Sequence, residues 1–370
     1  MGRRPRLNPV AAAARNRVED ALADVLVPAG TPSAAAPAEG EEAAPLVLVA
    51  CSGGPDSLAL AAAAVYFAKA GRCRVGAVVV DHGLQEDSSA VARRAADQLT
   101  GLGLSPVEVR TVEVAATGMG PEAAARTARY AALDAAARGS GAAAVLLGHT
   151  LDDQAEQVLL GLARGSGTRS LAGMPARRGR YRRPFLDLRR ADTEEICAFY
   201  GLDPWHDPSN ADPAFARSRV RTQVLPYLED QLGPGIAQAL YRSARILGQD
   251  ADYLEQLSSE AYAGLRTEAG ADILLPEEGL RELPASLRQR VLALAAVEVG
   301  GFQPSFERLL AAETLLERRG SAGPVQLGGR VGVYRQVRGK SVLPGGPSYG
   351  NLVFRNNRPG TEPPSRSTQE

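Results

Sequence analysis

The chain has 370 residues, long enough for two domains, and its 45% hydrophobic and 23% charged content is that of a soluble globular protein. Basic and acidic residues balance at 42 each, so net charge alone argues for no nucleic-acid or membrane partner. No apolar run approaches the roughly 20 residues of a membrane span. The basic start (Arg3, Arg4, Arg6) lacks a signal-peptide core, which makes the cytoplasm the default compartment.

Helical spacing over 8–26 (Val10, Ala14, Val18, Leu22, Leu26) is followed by a Pro/Ala/Gly-rich linker at 28–45. Apolar runs then alternate with helical stretches. Strands are predicted at 46–50, 74–80, 107–114 and 143–148, and helices at 57–70, 88–101, 121–138 and 152–163. That alternation predicts an α/β fold with a doubly wound parallel sheet and a ligand at the carboxyl ends of the strands. Further helices are expected at 191–201, 217–230, 234–262, 280–299 and 304–319, with a terminal hairpin formed by 324–327 and 331–334. The domains expected are 1–44 (helix and linker), 45–230 (nucleotide-binding), 231–345 (smaller, mainly helical) and 346–370, a disordered tail that is Pro/Ser/Arg-rich from 357.

The first strand runs into Ser52-Gly53-Gly54-Pro55-Asp56-Ser57, which opens the Ala-rich helix. A Gly-rich turn there aims free N–H groups and the positive helix end at one point, which suits a phosphate. Ser52 and Ser57 add hydroxyl donors, and Asp56 is a candidate metal ligand. The loop lacks the Walker A lysine and the GxGxxG spacing, and so fits chemistry at an α-phosphorus with pyrophosphate as the held leaving group.

The second strand ends in Asp81-His82, candidates for nucleoside contact or for capping the next turn. Glu122, Arg126 and Arg129 share one helix face. Asp152, Asp153 and Glu156 crowd the start of the helix after the fourth strand, where they either complement the helix dipole or hold Mg²⁺ and a cationic amine. From Arg164 to Arg190 nine arginines accompany one acidic residue, Asp187; Arg178, Arg180, Arg182 and Arg183 around Tyr181 read as a phosphate-contacting patch or a solvated loop. The three cysteines (Cys51, Cys73, Cys197) form no CxxC, and the three histidines (His82, His149, His206) have no metal-site spacing.

Residues 52–57 resemble the SGGxDS PP-loop of the N-type ATP pyrophosphatases, which adenylate a substrate and release pyrophosphate. That loop alone leaves GMP synthetase, argininosuccinate synthetase and tRNA thiolases open. The segments EAAARTARY (122–130), GHTLDDQAEQ…RGSG (148–167), DPSN (207–210) and RSRVR…LPYL (217–228) are similar, in the same order, to motifs of the tRNA(Ile)-lysidine synthetase family. Gln85 and Ser218 depart from that pattern, standing where an arginine and an asparagine are usual. The resemblance covers about 45–230 densely and extends loosely to about 340.

It implies a PP-loop catalytic domain and a C–N bond-forming ligase using ATP and Mg²⁺. The implied partners are L-lysine and tRNA(Ile) with a CAU anticodon, whose wobble cytidine becomes lysidine through an adenylated intermediate; a homodimer is compatible with it. Implied roles are pyrophosphate binding by Ser52–Ser57, Mg²⁺ binding by Asp56 and Asp153, and lysine binding or proton removal by Asp153 or Glu156. Arg126 and Arg129 would stabilise the adenylate, and Arg164, Arg178, Arg180, Arg182, Arg183, Arg217 and Arg221 would contact tRNA. The alternative is another PP-loop tRNA-modifying enzyme such as a thiolase, which needs relay cysteines that this chain does not space for the purpose.

Overall fold

The computed structural model describes residues 8–28, 44–83, 87–112, 121–318, 320, 322–336 and 349–357. The expected linker, apart from its ends, Gln85 and the chain beyond 357 lie outside the described residues.

Asn8 caps α1 (Pro9–Ala21), its carboxamide oxygen accepting from the N–H groups of Val10 and Ala11 at 2.8 and 3.1 Å. The alternating run is then built almost as the pattern predicts: β1 (Leu46–Cys51), α2 (Pro55–Lys69), β2 (Arg74–Asp81), α3 (Ser88–Leu102), β3 (Val107–Thr111), α4 (Pro121–Ser140), β4 (Ala144–Leu147) and α5 (Leu151–Ala163). After the short α6 (Thr168–Leu171), β5 (Arg177–Arg178) and β6 (Tyr181–Arg182) close the sheet, whose order is β3-β2-β1-β4-β6-β5. Strands β1, β2, β3, β4 and β6 run parallel, and only β5 is antiparallel.

The period of two along each strand splits its side chains between two faces. Val47, Val49, Val75, Ala77, Val79, Ala144 and Leu146 join the core under α1, α2, α3 and α7 (Arg190–Tyr200). Leu46, Leu48, Val78, Val145 and Leu147 face Leu133, Ala136 and Ala137 of α4 on the other side. Because β1 is covered on both faces, its sequence is uniformly apolar instead of alternating.

The helix expected at 217–230 is α8 (Ala216–Arg219), one π-helical turn (Val220–Val224) and α9 (Leu225–Leu232). Ala237, Leu240 and Tyr241 from the start of α10 (Ile236–Leu265) pack with Leu151, Ala155 and Leu225. The chain accordingly divides into units Met1–Gly248 and Gln249–Glu370, not at the expected 230/231.

The second unit adds an antiparallel sheet, order β7-β8-β11-β10-β9, to its helices. The elements are β7 (Thr267–Ala269), β8 (Asp272–Pro276), α11 (Glu277–Glu282), α12 (Ala285–Glu298), α13 (Phe306–Glu313), β9 (Val325–Gln326), β10 (Val331–Arg335) and β11 (Asn351–Asn356). The expected terminal hairpin is present as β9 and β10. The helix expected over 280–299 is broken, because Pro284 cannot continue one. The tail assignment from 346 is corrected by β11, whose Leu352, Val353 and Phe354 are fully buried at the middle of this sheet.

Candidate active site

The loop between β1 and α2 is held from within. The Ser57 hydroxyl donates to the Gly54 carbonyl at 3.0 Å and accepts from the Ser52 N–H at 3.2 Å. Gly53 sits at φ +82°, in the left-handed region that favours glycine, and its carbonyl accepts from the Trp205 N–H at 2.9 Å. Gly54 precedes α2 without a side-chain cap, so the first N–H groups of this helix stay open to an anion. A Cβ at Gly148 would lie 2.9 Å from the Asp56 carbonyl, so only glycine lets the end of β4 press against this loop. That close approach brings the start of α5 beside the start of α2.

Thr150 and Asp153 form a reciprocal cap on α5, the Asp153 carboxylate accepting from the Thr150 N–H at 2.9 Å. Asp153 also reaches across to Arg190, the first residue of α7. The Arg190 Nη2 donates both to Asp56 Oδ2 at 3.2 Å and to Asp153 Oδ1 at 3.3 Å. Thr193, one turn on, donates to Asp56 Oδ1 at 2.6 Å. The Arg190 N–H is pinned by Asp152 at 2.8 Å, and Asp152 itself pairs with Arg189 at 2.9 Å.

Glu156, fully buried, is gripped by Arg221 at 2.6 and 3.0 Å, with Arg217 at 3.6 Å. Beside it opens a cavity of about 320 Å³, lined by the charged Asp152, Glu156, Arg189, Arg190, Arg221 and Glu229 and by the apolar Leu225, Pro226 and Ala237.

Burial pushes the Asp56 carboxyl up, and the nearby Asp153 charge adds to this against the opposing pull of Arg190 and Thr193. Burial also works on Asp153, but Arg190, the Thr150 N–H and Arg221 outweigh it and hold Asp153 low. Glu156 is pushed up, again by burial first. His149 is driven down to about 3 by burial, with Arg183, Arg129 and Arg126 adding to the effect, so its imidazole is neutral.

The sequence candidates separate on this geometry. Ser52–Ser57, Asp153 and Glu156 converge. Asp81 instead caps the turn after β2, accepting from the Gly83 N–H at 2.9 Å and the Ser89 hydroxyl at 3.0 Å; His82 beside it keeps a buried Nδ1 without a hydrogen bond. Arg126 and Arg129 stack at 5.2 and 5.8 Å from the Tyr130 ring, and Arg129, pushed down by burial, lies among the cations Arg126 and Arg217. The Glu122 side chain lies outside the described residues.

Two expected tRNA contacts are corrected: Arg182 and Arg183 are only 4% exposed. They turn inward to hold the β5–β6 hairpin, Arg182 on the Gly179 carbonyl (2.6 Å) and Asp24 (3.2 Å), Arg183 on the Pro175 carbonyl (2.8 Å). Arg217 and Arg221 serve Glu156 and Asp153 and do not form an outward surface. Arg164 and Arg178 are exposed and Arg180 is half-buried. Ser218 donates to the Asn210 carbonyl at 2.6 Å and so ties α8 to the Asp207–Asn210 turn.

Arg190 and Thr193 carried no motif signal; the one available clue was an arginine opening a helix directly after a basic stretch.

The donor chemistry at Asp56 and Asp153 fits a divalent ion. Two carboxylate oxygens already converge on one cationic nitrogen, and hard cations such as Mg²⁺ take oxygen ligands. Among the described residues no group of three or more His, Cys, Asp or Glu could hold a metal. The protein would therefore supply two carboxylates and leave the other positions to phosphates and water, as is usual for Mg²⁺.

Residues 32–228 match the PP-loop domain family. A tRNA(Ile)-lysidine synthase of Leifsonia xyli subsp. xyli is 52% identical over 79% of this chain and 87% of its own length. The chain belongs to the tRNA(Ile)-lysidine synthase family. Members from Streptomyces coelicolor (49% identical over 83% of this chain and 87% of theirs) and Thermobifida fusca (54%, over 69% and 78%) agree. As a PP-loop lysidine synthase relative, it is an ATP-using enzyme that acts on tRNA.

Proposed function

We infer that the chain joins L-lysine to C2 of the wobble cytidine in the CAU anticodon of tRNA(Ile), as a C–N ligase of the cytoplasm. The observation that carries this reading is the convergence of three parts: the uncapped start of α2, the Asp56–Asp153 pair, and the buried Glu156 beside a cavity lined by both charged and apolar side chains.

In the first step the cytosine O2 attacks the ATP α-phosphorus and pyrophosphate leaves. Open N–H groups of α2 and the Ser52 hydroxyl hold that leaving group, while the Ser57 hydroxyl, spent on the Gly54 carbonyl, shapes the loop from within. Asp56 and Asp153 would hold Mg²⁺, which supplies charge neutralisation on the phosphates. Arg126 and Arg129 face the negative charge that develops. In the second step the lysine ε-amine bonds to C2 and the C2–O bond breaks, so that AMP departs with the oxygen. The apolar Leu225, Pro226 and Ala237 in the cavity lining suit the aliphatic stem of lysine, and the carboxylates suit its ammonium.

Glu156, raised by burial, is a better proton acceptor than Asp153, which is held low; the ε-ammonium gives its proton to Glu156. A thiolase reading finds no thiol to use, since Cys51, Cys73 and Cys197 are all buried. Burial raises their pKa values, that of Cys73 to about 11 and that of Cys197 to about 12.

The test is stepwise. With ATP and tRNA(Ile) but no lysine, pyrophosphate release is expected to proceed to one equivalent, and AMP to appear only when lysine is added. AMP release that precedes lysine would contradict the two-step reading.

In this reading Arg164, Arg178 and Arg180 contact the tRNA backbone. Neutralising Arg164, Arg178 and Arg180 together should weaken tRNA binding and lower the slope of log K against log salt by about 0.7–0.9 per lost phosphate contact. ATP affinity should not change. An unaltered slope in a salt titration would make these side chains mere solvated surface.

Arg182→Ala should act on stability instead: it deprives the Gly179 carbonyl of its donor and should cost about 1–3 kcal/mol in a denaturant melt, with the tRNA salt slope unaltered. A lowered slope would return Arg182 to the tRNA surface.

A further inference from the structure

Among the described residues, Arg190 is the cation that donates to both Asp56 and Asp153. Its place is fixed by its backbone: the Arg190 N–H is held by Asp152, the residue before Asp153, and Thr193 of the same helix holds the other oxygen of Asp56. The bridged carboxylates lie on separate helices, α2 and α5, and both are largely buried, with side chains 18% and 14% exposed. Arg221 also reaches Asp153, at 3.2 Å, but Arg190 spans the pair, so the protein itself places a cation between the two carboxylates.

We propose that Arg190 is a positioning residue that stands in for the divalent cation. It holds Asp56 and Asp153 converged in the nucleotide-free enzyme, then yields the carboxylates when metal and nucleotide enter and turns its guanidinium to the incoming phosphates. This rests on the reading that Asp56 and Asp153 are the metal-holding pair. It makes the metal site conditional: an ion arriving alone must displace a paired guanidinium, whereas one arriving with phosphate brings the guanidinium a new partner. The enzyme would then bind the ion tightly only together with nucleotide.

The experiment measures Mn²⁺ affinity of the full chain, by electron paramagnetic resonance of the free ion, with and without a non-hydrolysable ATP analogue. Wild type is expected to bind Mn²⁺ weakly alone and tightly with the analogue. Arg190→Gln is expected to bind Mn²⁺ alone at least tenfold more tightly than wild type, to lose that gain when Asp56→Asn is added, and to show weaker affinity for the analogue. Such a gain in metal affinity is something a merely structural arginine would not produce.

If Arg190→Gln binds Mn²⁺ alone no better than wild type while wild type still binds it with the analogue, the stand-in role is overturned and the metal reading survives. If wild type binds no Mn²⁺ even with the analogue, both fall. Should Arg190→Gln fail to fold, Arg190→Gln with Asp153→Asn decides. Bridging predicts that removing one of the two carboxylates restores a cooperative thermal transition, and persistent unfolding overturns the proposal.

Discussion

Asp56→Ala is expected to abolish adenylation of tRNA while leaving the fold intact. Its carboxylate sits in the first turn of α2, within the phosphate loop, and in the proposed reading it holds the metal together with Asp153. Losing a metal ligand should remove several kcal/mol of transition-state stabilisation, so tRNA-dependent pyrophosphate release should fall by about 10³-fold or more. The fold should survive because Arg190 keeps Asp153 as a partner, and because deleting one of two neighbouring carboxylates relieves repulsion. The checks are pyrophosphate release and a thermal melt on the same preparation. Near-normal release from a folded variant would remove Asp56 from the chemistry.

The second large effect is a separation of the half-reactions within one helix turn of α5. Asp153 faces Arg190 and the phosphate loop, whereas Glu156 lies one turn further on, against Arg221 and the cavity. Asp153→Asn keeps the acceptor for the Thr150 N–H but loses the charge shared with Asp56, and should impair adenylation. Glu156→Gln keeps the shape but offers Arg221 one acceptor instead of two, and it loses both the attraction for an ammonium and the raised carboxylate that accepts its proton. It should still consume ATP and adenylate tRNA, yet form lysidine about 10²-fold more slowly and with a raised lysine KM. The ratio of adenylated to lysine-modified tRNA in each variant, at fixed lysine, reads the division. Equal loss of both steps in both variants would show that the two carboxylates share one role.

What could be read from the sequence follows from how local each signal is. The parallel sheet was legible because buried strands such as Leu46–Ala50 are continuous apolar runs and the intervening helices are long. The phosphate loop and the acidic start of α5 were legible because their chemistry lies within a few consecutive residues. Arg190 was not: its meaning comes from Asp56, 134 positions away, and from Asp153, 37 away.

Arg182 and Arg183 misled because charge patterning assumes exposure, and a tight hairpin turned both inward onto carbonyl groups and Asp24. The second sheet beyond its β9–β10 hairpin escaped for a related reason. Strands such as Ile273–Leu275 and Leu352–Phe354 offer three apolar residues each, too few to signal a strand until antiparallel pairing across the unit joins them. Asp81 shows the opposite case, where both the capping and the ligand-binding role were open and only the Gly83 and Ser89 hydrogen bonds favour the cap.

The most direct test of the central claim is mass analysis of tRNA(Ile) nucleosides after incubation of the full chain with ATP, Mg²⁺ and isotope-labelled L-lysine. The account predicts one labelled nucleoside, at the wobble position of the CAU anticodon, heavier than cytidine by one lysine less one water, with ATP converted to AMP and pyrophosphate in equal amount. An unlabelled wobble cytidine, or a wobble base carrying sulfur in place of lysine, would contradict it.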